Sequence, residues 1–129
     1  MQLIGSTYKI AGKSNIEVWI EGGIAYCSFG DNRNVDLELA KYCVEKRLSV
    51  FKGFSYPSHI DMQTIKTISK EAREYFADEG SRGIVAGALI VESPFSEMLG
   101  NIFLTINKPK IPTKLFVNSE NALNWLRKF

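Results

Sequence analysis

The sequence has few of the residues that build metal sites, disulfide frameworks or histidine-dependent catalytic sites. Its 129 residues include two cysteines and a single histidine, His59. Two cysteines are too few for a disulfide framework, and Cys27 and Cys43 lack the spacing of a metal-binding pair. A single histidine, without a Gly-x-Ser-x-Gly turn, predicts neither a zinc site nor a Ser/His/Asp triad. We therefore expect buried, reduced thiols, no metal and no catalytic residues.

The sequence also lacks long apolar runs and a strong excess of one charge. The most apolar stretch, residues 84–91, is much shorter than the roughly 20 residues of a membrane-spanning helix. Sixteen Lys and Arg residues against 14 Asp and Glu residues give a formal charge of +2, and the basic residues are scattered. This distribution does not favour nucleic-acid binding. Because the first residues do not resemble a signal peptide, we expect a cytoplasmic protein.

A β-hairpin is predicted over residues 16–29, with its turn at Gly22-Gly23, because two glycines supply the positive φ angles of a two-residue turn. Upstream, Tyr8 and Ile10 indicate a further edge strand or an arm within residues 1–15. Alternation of apolar and polar residues predicts that one face of the hairpin is buried. That face carries Ile16, Val18, Ile20, Ala25, Cys27 and Phe29.

An amphipathic helix is predicted after the hairpin, capped by Asp36 and ended by Gly53. Its apolar residues follow a period of 3.6 residues and form one stripe. That stripe contains Leu39, Ala40, Cys43, Val44, Leu48 and Phe51. The charged residues are expected mostly on the solvent side, namely Glu38, Lys41, Glu45, Lys46 and Lys52.

A strand followed by a capped helix occurs three times in the second half, over residues 60–76, 84–106 and 114–129. This order predicts parallel strands joined by right-handed crossovers, with the apolar strand 84–91 in the middle of the sheet. We therefore expect one α/β domain over residues 1–129. It has a hairpin followed by αβαβαβα, a mixed, mostly parallel sheet and helices packed on it. The predicted helix caps are Ser69, Ser93 and either Asn118 or Ser119.

This element order, with stretches such as Ile60-Asp61-Met62 and residues 69–76, resembles the STAS domain, the fold of the sporulation anti-sigma-factor antagonists. The resemblance covers residues 16–129. Within this group, the sequence more closely resembles small stand-alone bacterial proteins than other STAS domains. In phosphorylated STAS domains, the third strand leads into an Asp-Ser-Ser/Thr-Gly loop that a partner kinase modifies. The N-terminus of a helix favours such an anion. The corresponding loop here, residues 67–72, has neither the Asp before the acceptor nor the glycine after it.

The loops after the three strands are expected at one edge of the sheet, where open α/β domains bind their ligands. With the polar loop 31–34, they form a candidate surface for a protein partner or an anion. Its residues are Thr67, Ser69, Lys70, Arg73, Ser93 and Arg33. The simpler interpretation is ordinary caps and turns, with Arg73 in an ion pair with Glu74 or Asp78. The leading hypothesis is a non-enzymatic regulatory or protein-interaction module.

The helix over residues 95–106 is more apolar than a surface helix requires, since Glu97 is its only charged residue. Lys108, Lys110 and Lys114 follow it. Such a helix either packs deeply against the sheet, or forms a homodimer surface, contacts lipid or covers an apolar pocket. The alternative function is therefore binding of an anionic lipid or an apolar small ligand. The contacts would come from Phe95, Leu99, Phe103, Lys108 and Lys110. No cofactor is expected, because glycine-rich nucleotide motifs are absent.

Overall fold

The computed structural model describes residues 4–8 and 16–129. The strands in this part of the chain are β1 (Ile4–Tyr8), β2 (Ile16–Glu21), β3 (Ile24–Ser28), β4 (Asn34–Val35), β5 (Tyr56–Asp61), β6 (Thr67–Ile68), β7 (Ile84–Ile90) and β8 (Thr113–Phe116). The α-helices are α1 (Leu37–Phe51), α2 (Lys70–Ala77), α3 (Pro94–Ile102) and α4 (Ser119–Leu126). A 3₁₀ turn (Glu79–Ser81) follows α2, and a π-helical turn (Phe103–Asn107) continues α3.

Six strands form one sheet in the order β1-β2-β3-β5-β7-β8. The pairs β1–β2 and β2–β3 are antiparallel, whereas β3, β5, β7 and β8 run parallel to their neighbours. The predicted parallel direction of the three later strands is confirmed. The prediction that the apolar strand lies in the middle of the sheet is wrong. β7 lies one strand in from the β8 edge, and β3 and β5 are the central strands. β4 and β6 form a separate parallel pair.

The hairpin has the predicted turn and register. Glu21 pairs with Ile24, and Gly22 and Gly23 have φ angles of 60° and 79°. β1 pairs with β2 as an edge strand, as Tyr8 indicated. Ile10 lies outside the described residues.

Helices cover both faces of the sheet, and the side chains of β7 alternate between them. Leu89 and Val91 pack on the side of α1, α2 and α3. The other face of β7 packs against α4. Because successive side chains of a strand point to opposite faces, a buried strand with helices on both sides is apolar along its whole length. The predicted fold class, an α/β protein with a mostly parallel sheet, is confirmed.

α1 begins at the predicted cap, but its buried stripe is broader than predicted. Asp36 Oδ1 accepts a hydrogen bond from Leu39 N at 2.8 Å, so the predicted cap is confirmed. The prediction that Lys46 faces solvent is wrong, because its exposed fraction is 2%. Lys46 and Arg47 lie one helical turn from Cys43, which is buried. They share its side of the helix, and α1 packs there against β1 and β2.

Several predicted ends differ from the structure by one to a few residues. The sequence predicts that the helix after Ser69 runs to about Asp78 and stops at Gly80, but α2 ends at Ala77 and Gly80 lies in the 3₁₀ turn. The predicted helix over 95–106 is observed as α3 plus the π-helical turn. The apolar spacing of the last helix predicts that Phe129 faces inward with Trp125 and Leu126. Phe129 is instead 50% exposed, and its ring packs edge-on against Trp125 at 5.0 Å between ring centroids.

Candidate functional site

The loops after β3, β5 and β7 are joined at the carboxyl edge of the parallel strands. The backbone oxygen of Arg33 accepts hydrogen bonds from Lys66 N at 2.6 Å and Thr67 N at 3.0 Å. Thr67 Oγ1 donates to Asn34 Oδ1 at 2.6 Å, and Lys66 Nζ lies 5.4 Å from the ring centroid of Phe95. We call the surface formed here the rim. Its residues are Arg33, Lys66, Thr67, Ser69, Lys70, Ser93, Phe95 and Met98.

Ser69 is the cap of α2, as predicted. Its Oγ accepts a hydrogen bond from Ala72 N at 3.1 Å, and its own amide donates to Val35 O at 2.9 Å. Lys70, the first residue of the helix, is exposed. The Ser69 hydroxyl therefore already stabilises the start of α2, which an added phosphate would change.

Arg73 is not a freely exposed part of the rim. The predicted ion pair with Glu74 or Asp78 is wrong, because the Arg73 side chain points to other partners. Nη1 donates to Ile68 O at 2.9 Å, and Nε donates to Asn107 Oδ1 at 3.1 Å. Arg73 thereby connects β6 to the π-helical turn and helps to hold the residues of the rim in place.

Ser93 caps α3, also as predicted. Its Oγ accepts a hydrogen bond from Ser96 N at 3.1 Å, while Ser96 Oγ accepts one from Ser93 N at 3.2 Å. This reciprocal pair is a capping box, and Pro94 occupies the first helical position. The pair orients the first turn of α3, so that Phe95 reaches Lys66.

α3 and the π-helical turn expose apolar side chains, so deep packing does not extend along their whole length. The exposed fractions are 43% for Phe95, 49% for Met98 and 67% for Ile106. The predicted lipid contact at Leu99 is wrong, because Leu99 is buried in the core. Phe103 is partly buried against the same core, which leaves Phe95 as the exposed apolar residue among those predicted.

The three lysines after this helix do not form one cationic cluster. Lys110 makes an ion pair with Asp78. Lys114 Nζ lies 5.5 Å from the ring centroid of Phe116, a residue that packs on the α4 side of the sheet. Lys108 is exposed. The charges are therefore separated or neutralised, which weakens the predicted attraction to anionic lipid.

A cavity of about 90 Å³ lies between the sheet and the helices on the side of α1 and α2. Its walls come from β2, β3, β5 and β7, from α1 and α2, and from the π-helical turn. Most of the lining side chains are apolar, among them Val18, Ile60, Phe76, Leu89 and Phe103. An apolar pocket beneath the 95–106 segment was one of the alternatives that the sequence left open.

Both thiols line this cavity and are free. Burial raises the pKa of Cys27 to about 11 and the pKa of Cys43 to about 12. Desolvation disfavours the thiolate, so both groups are protonated at neutral pH. The predicted burial is confirmed for Cys43, whereas Cys27 is half-buried.

Arg47 is a buried charged residue in the cavity wall that the sequence pattern did not single out. Its exposed fraction is 5%, and its Nη2 donates to Gly80 O at 2.5 Å and Arg82 O at 2.8 Å. Its Nε has no hydrogen-bond partner in the described part of the chain. Burial lowers the pKa of the guanidinium. Its spacing of four residues from both Cys43 and Phe51 could have predicted this burial.

His59 belongs to an aromatic row on the opposite face of the sheet. Tyr26 stacks on Trp19 at 5.2 Å and lies 5.2 Å from His59, both measured between ring centroids. His59 Nε2 is 3.1 Å from Ser119 Oγ. Burial lowers the pKa of the imidazole. This histidine therefore contacts the start of α4.

Neither a metal-binding cluster nor a membrane-spanning helix is present within residues 4–8 and 16–129. Within those ranges, no three side chains of His, Cys, Asp or Glu come together to hold a metal ion. None of the helices in the same ranges combines the length and the apolar content needed to cross a bilayer.

Comparison with known proteins identifies the fold and the family. A crystal structure of an uncharacterised protein of the DUF3478 family from Shewanella loihica PV-4, described as having a SpoIIAA-like fold, is similar to this chain. The TM-score is 0.55, with 12% sequence identity, over 96% of this chain and 93% of that one. The predicted STAS-like fold is thereby confirmed. No curated protein matches the sequence. The family model described as "Domain of unknown function (DUF7793)" matches residues 18–129, so the chain belongs to that family.

Proposed function

We propose that this protein is a non-enzymatic cytoplasmic regulatory module that binds a protein partner through the rim. The observation that carries the proposal is the exposure of Phe95 and Met98 in the first turns of α3, beside loops that are joined by hydrogen bonds. The contacts of Arg33 with Lys66 and Thr67, and of Lys66 with Phe95, hold these loops together. A preformed apolar contact on a rigid surface binds a partner at a low entropic cost.

The charges of the rim specify what the partner must offer. Arg33, Lys66 and Lys70 are exposed, and so are Glu92 and Glu97 beside Phe95. A suitable partner therefore presents an apolar group surrounded by charges of both signs. The rim favours binding over a reaction, because Ser69 and Ser93 use their hydroxyl oxygens in helix caps.

Affinity capture from the source cells, followed by quantitative mass spectrometry, tests this proposal. The wild-type protein is compared with the double variant Phe95→Ala/Met98→Ala. The matched control is Ile106→Ala, which removes an even more exposed apolar side chain outside the rim. We expect one partner in stoichiometric amount, bound at least about tenfold more weakly by the rim variant in titration with the purified partner. A partner that binds all three proteins equally would overturn the assignment to the rim.

The cavity supports a second function, the binding of a small apolar ligand. Dry cavities lined by aliphatic and aromatic side chains bind benzene and xenon in other proteins. We expect xenon or benzene to produce saturable NMR shifts of the Ile60 and Leu89 methyl groups, which line the cavity. The methyl groups of Val117, which is exposed, serve as the control. The absence of any saturable shift would remove this candidate.

A further inference from the structure

We propose that the cavity binds a small carboxylate with an apolar chain, and that its carboxylate group pairs with Arg47. The proposal rests on the second function above and adds the chemical class of the ligand. The other polar side chains of the cavity wall already have partners. Ser28 Oγ accepts from Gly30 N, Ser81 Oγ donates to Asp78 O, and Thr113 Oγ1 donates to Ile111 O. Arg47 Nε is the buried side-chain nitrogen of the wall that lacks a hydrogen-bond partner within the described residues, so it is the polar group available to a ligand.

The surroundings of Arg47 lack a counter-charge within the described residues. Its two hydrogen bonds go to backbone oxygens, and the groups that influence its charge are Cys27, Cys43, Tyr75 and Arg82, none of which is a carboxylate. Buried cations in proteins are normally paired, because an unpaired buried charge is unfavourable. A ligand carboxylate would supply the missing charge and accept hydrogen bonds from the planar guanidinium.

The size and lining of the cavity limit the rest of the ligand. An engineered apolar cavity of about 150 Å³ holds benzene. The cavity here measures about 90 Å³ and is apolar apart from the groups described above. A straight or branched chain of about three to four carbons, the carboxyl carbon included, is therefore the expected body of the ligand.

A series of straight-chain carboxylates, from acetate to octanoate, tests the proposal by NMR titration of ¹⁵N-labelled protein. The Nε–H signal of Arg47 reports contact at the guanidinium, and methyl signals of Leu89 report occupancy of the cavity. We expect both signals to shift saturably, with the tightest binding near propionate to butyrate. The alcohol of the same length is the neutral control, and we expect it to bind about 10- to 100-fold more weakly.

Two variants separate the contribution of charge from that of shape. Arg47→Met keeps an unbranched side chain in the cavity wall and removes the guanidinium together with its hydrogen bonds to Gly80 O and Arg82 O. We expect it to lose most carboxylate affinity, whereas Arg82→Met, which removes a nearby exposed charge, keeps it. Gly87→Ala narrows the cavity without a clash, because the new Cβ would lie 3.7 Å from Ile60 Cδ1 and Ile111 Cδ1. We expect it to weaken the binding of acid and alcohol together.

The outcomes distinguish this proposal from the function on which it rests. Equal binding of acid and alcohol, with the Arg47 signal unmoved, would overturn the role of Arg47 and leave apolar binding in the cavity intact. No binding of either compound would overturn both. If Arg47→Met fails to fold, the Nε–H shift and the effect of Gly87→Ala still decide the question.

Discussion

At the scale of single residues, three side chains that line the cavity have pKa values shifted by burial. Cys27 and Cys43 line the same cavity as Arg47, and their pKa values are raised to about 11 and about 12. Desolvation is the largest cause of both shifts, and the same burial lowers the pKa of Arg47. The cavity therefore disfavours charge of either sign on the protein, which is why the retained guanidinium of Arg47 requires an explanation.

The two thiols predict how stability depends on alkaline pH. Their ordinary pKa is 9.0, and it is higher in the folded state, so the folded protein holds these protons more tightly than the unfolded chain. Below about pH 9 the thiols are protonated in both states, and their contribution to the free energy of unfolding is constant. Between about pH 9 and pH 11 the unfolded chain loses its thiol protons first, and the free energy of unfolding is expected to fall.

Urea denaturation at pH 8, 9, 10 and 11 measures this fall. The double variant Cys27→Ala/Cys43→Ala is expected to lose stability less steeply over the same interval, because the titrating thiols are gone. Identical slopes in the two proteins would show that other groups, such as Tyr26, whose pKa burial raises, dominate the alkaline response.

At the scale of secondary-structure elements, short helices depend on their caps and on close contacts with the sheet. α2 and α4 each contain eight residues, and isolated helices of that length are unstable in water. Each begins with a side-chain cap, Ser69 for α2 and Asn118 for α4. Packing against the sheet and satisfaction of the first amides therefore keep these helices folded.

Replacement of the α2 cap gives a direct measure of its contribution. Ser69→Ala is expected to lower the free energy of unfolding by about 1 kcal/mol, because the amide of Ala72 loses its acceptor. Ser69→Asp restores an acceptor and is expected to recover most of that loss. Ser55→Ala, in an exposed loop, is the matched control, with a change within about 0.5 kcal/mol. Equal effects of Ser69→Ala and Ser55→Ala in chemical denaturation would contradict the cap.

α3 and β8 lie so close at Gly100 that a larger residue at this position would press against Leu115. A Cβ added at Gly100 would lie 2.6 Å from Leu115 Cδ2 and 3.3 Å from Leu115 Cδ1. Gly100→Ala is therefore expected to lower the free energy of unfolding by about 1 to 3 kcal/mol, despite the better helix propensity of alanine.

Combining Gly100→Ala with Leu115→Val tests the cause of this destabilisation. If the two side chains clash, the double variant loses less stability in chemical denaturation than the sum of the two single variants. If the losses of stability of the two single variants simply add up, contact with Leu115 is not the cause of the effect of Gly100→Ala.

At the scale of the whole molecule, the two faces of the sheet are covered unequally. Among the helices of residues 16–129, α1, α2 and α3 cover one face, and α4 alone packs on β5, β7 and β8 on the other. The cavity lies on the side with three helices, where elements that are distant in sequence meet. Beneath α4, the small residues Ala86 and Ala88 allow close packing with Ala122.

Removal of one buried side chain from α4 tests whether both faces belong to one folding unit. Leu126 is fully buried, and Leu126→Ala is expected to lower the free energy of unfolding by about 2 to 5 kcal/mol. The unfolding transition measured by circular dichroism and by tryptophan fluorescence should remain single, because α4 completes the core on its side. Val117→Ala, at an exposed residue, is the control. Separate transitions by the two methods would show that α4 unfolds independently.

The sequence by itself determined the order, type and direction of the main elements. Two glycines between stretches of alternating apolar and polar residues predicted the hairpin. Polar residues at the helix starts predicted the caps at Asp36, Ser69 and Ser93, and each of these side chains accepts a hydrogen bond from the amide three residues later. These features depend on contacts between residues close in the chain, and repeated β-α order then restricts the sheet topology.

Only the tertiary structure decided what surrounds each side chain. Arg73 binds Ile68 and Asn107 instead of a neighbouring carboxylate, Lys46 is buried, and Leu99 is inaccessible. The cavity arises where several strands and helices pack imperfectly, and Arg47 enters its wall because α1 packs over this face of the sheet. Such outcomes depend on residues far apart in the chain, and local periodicity carries no information about their meeting.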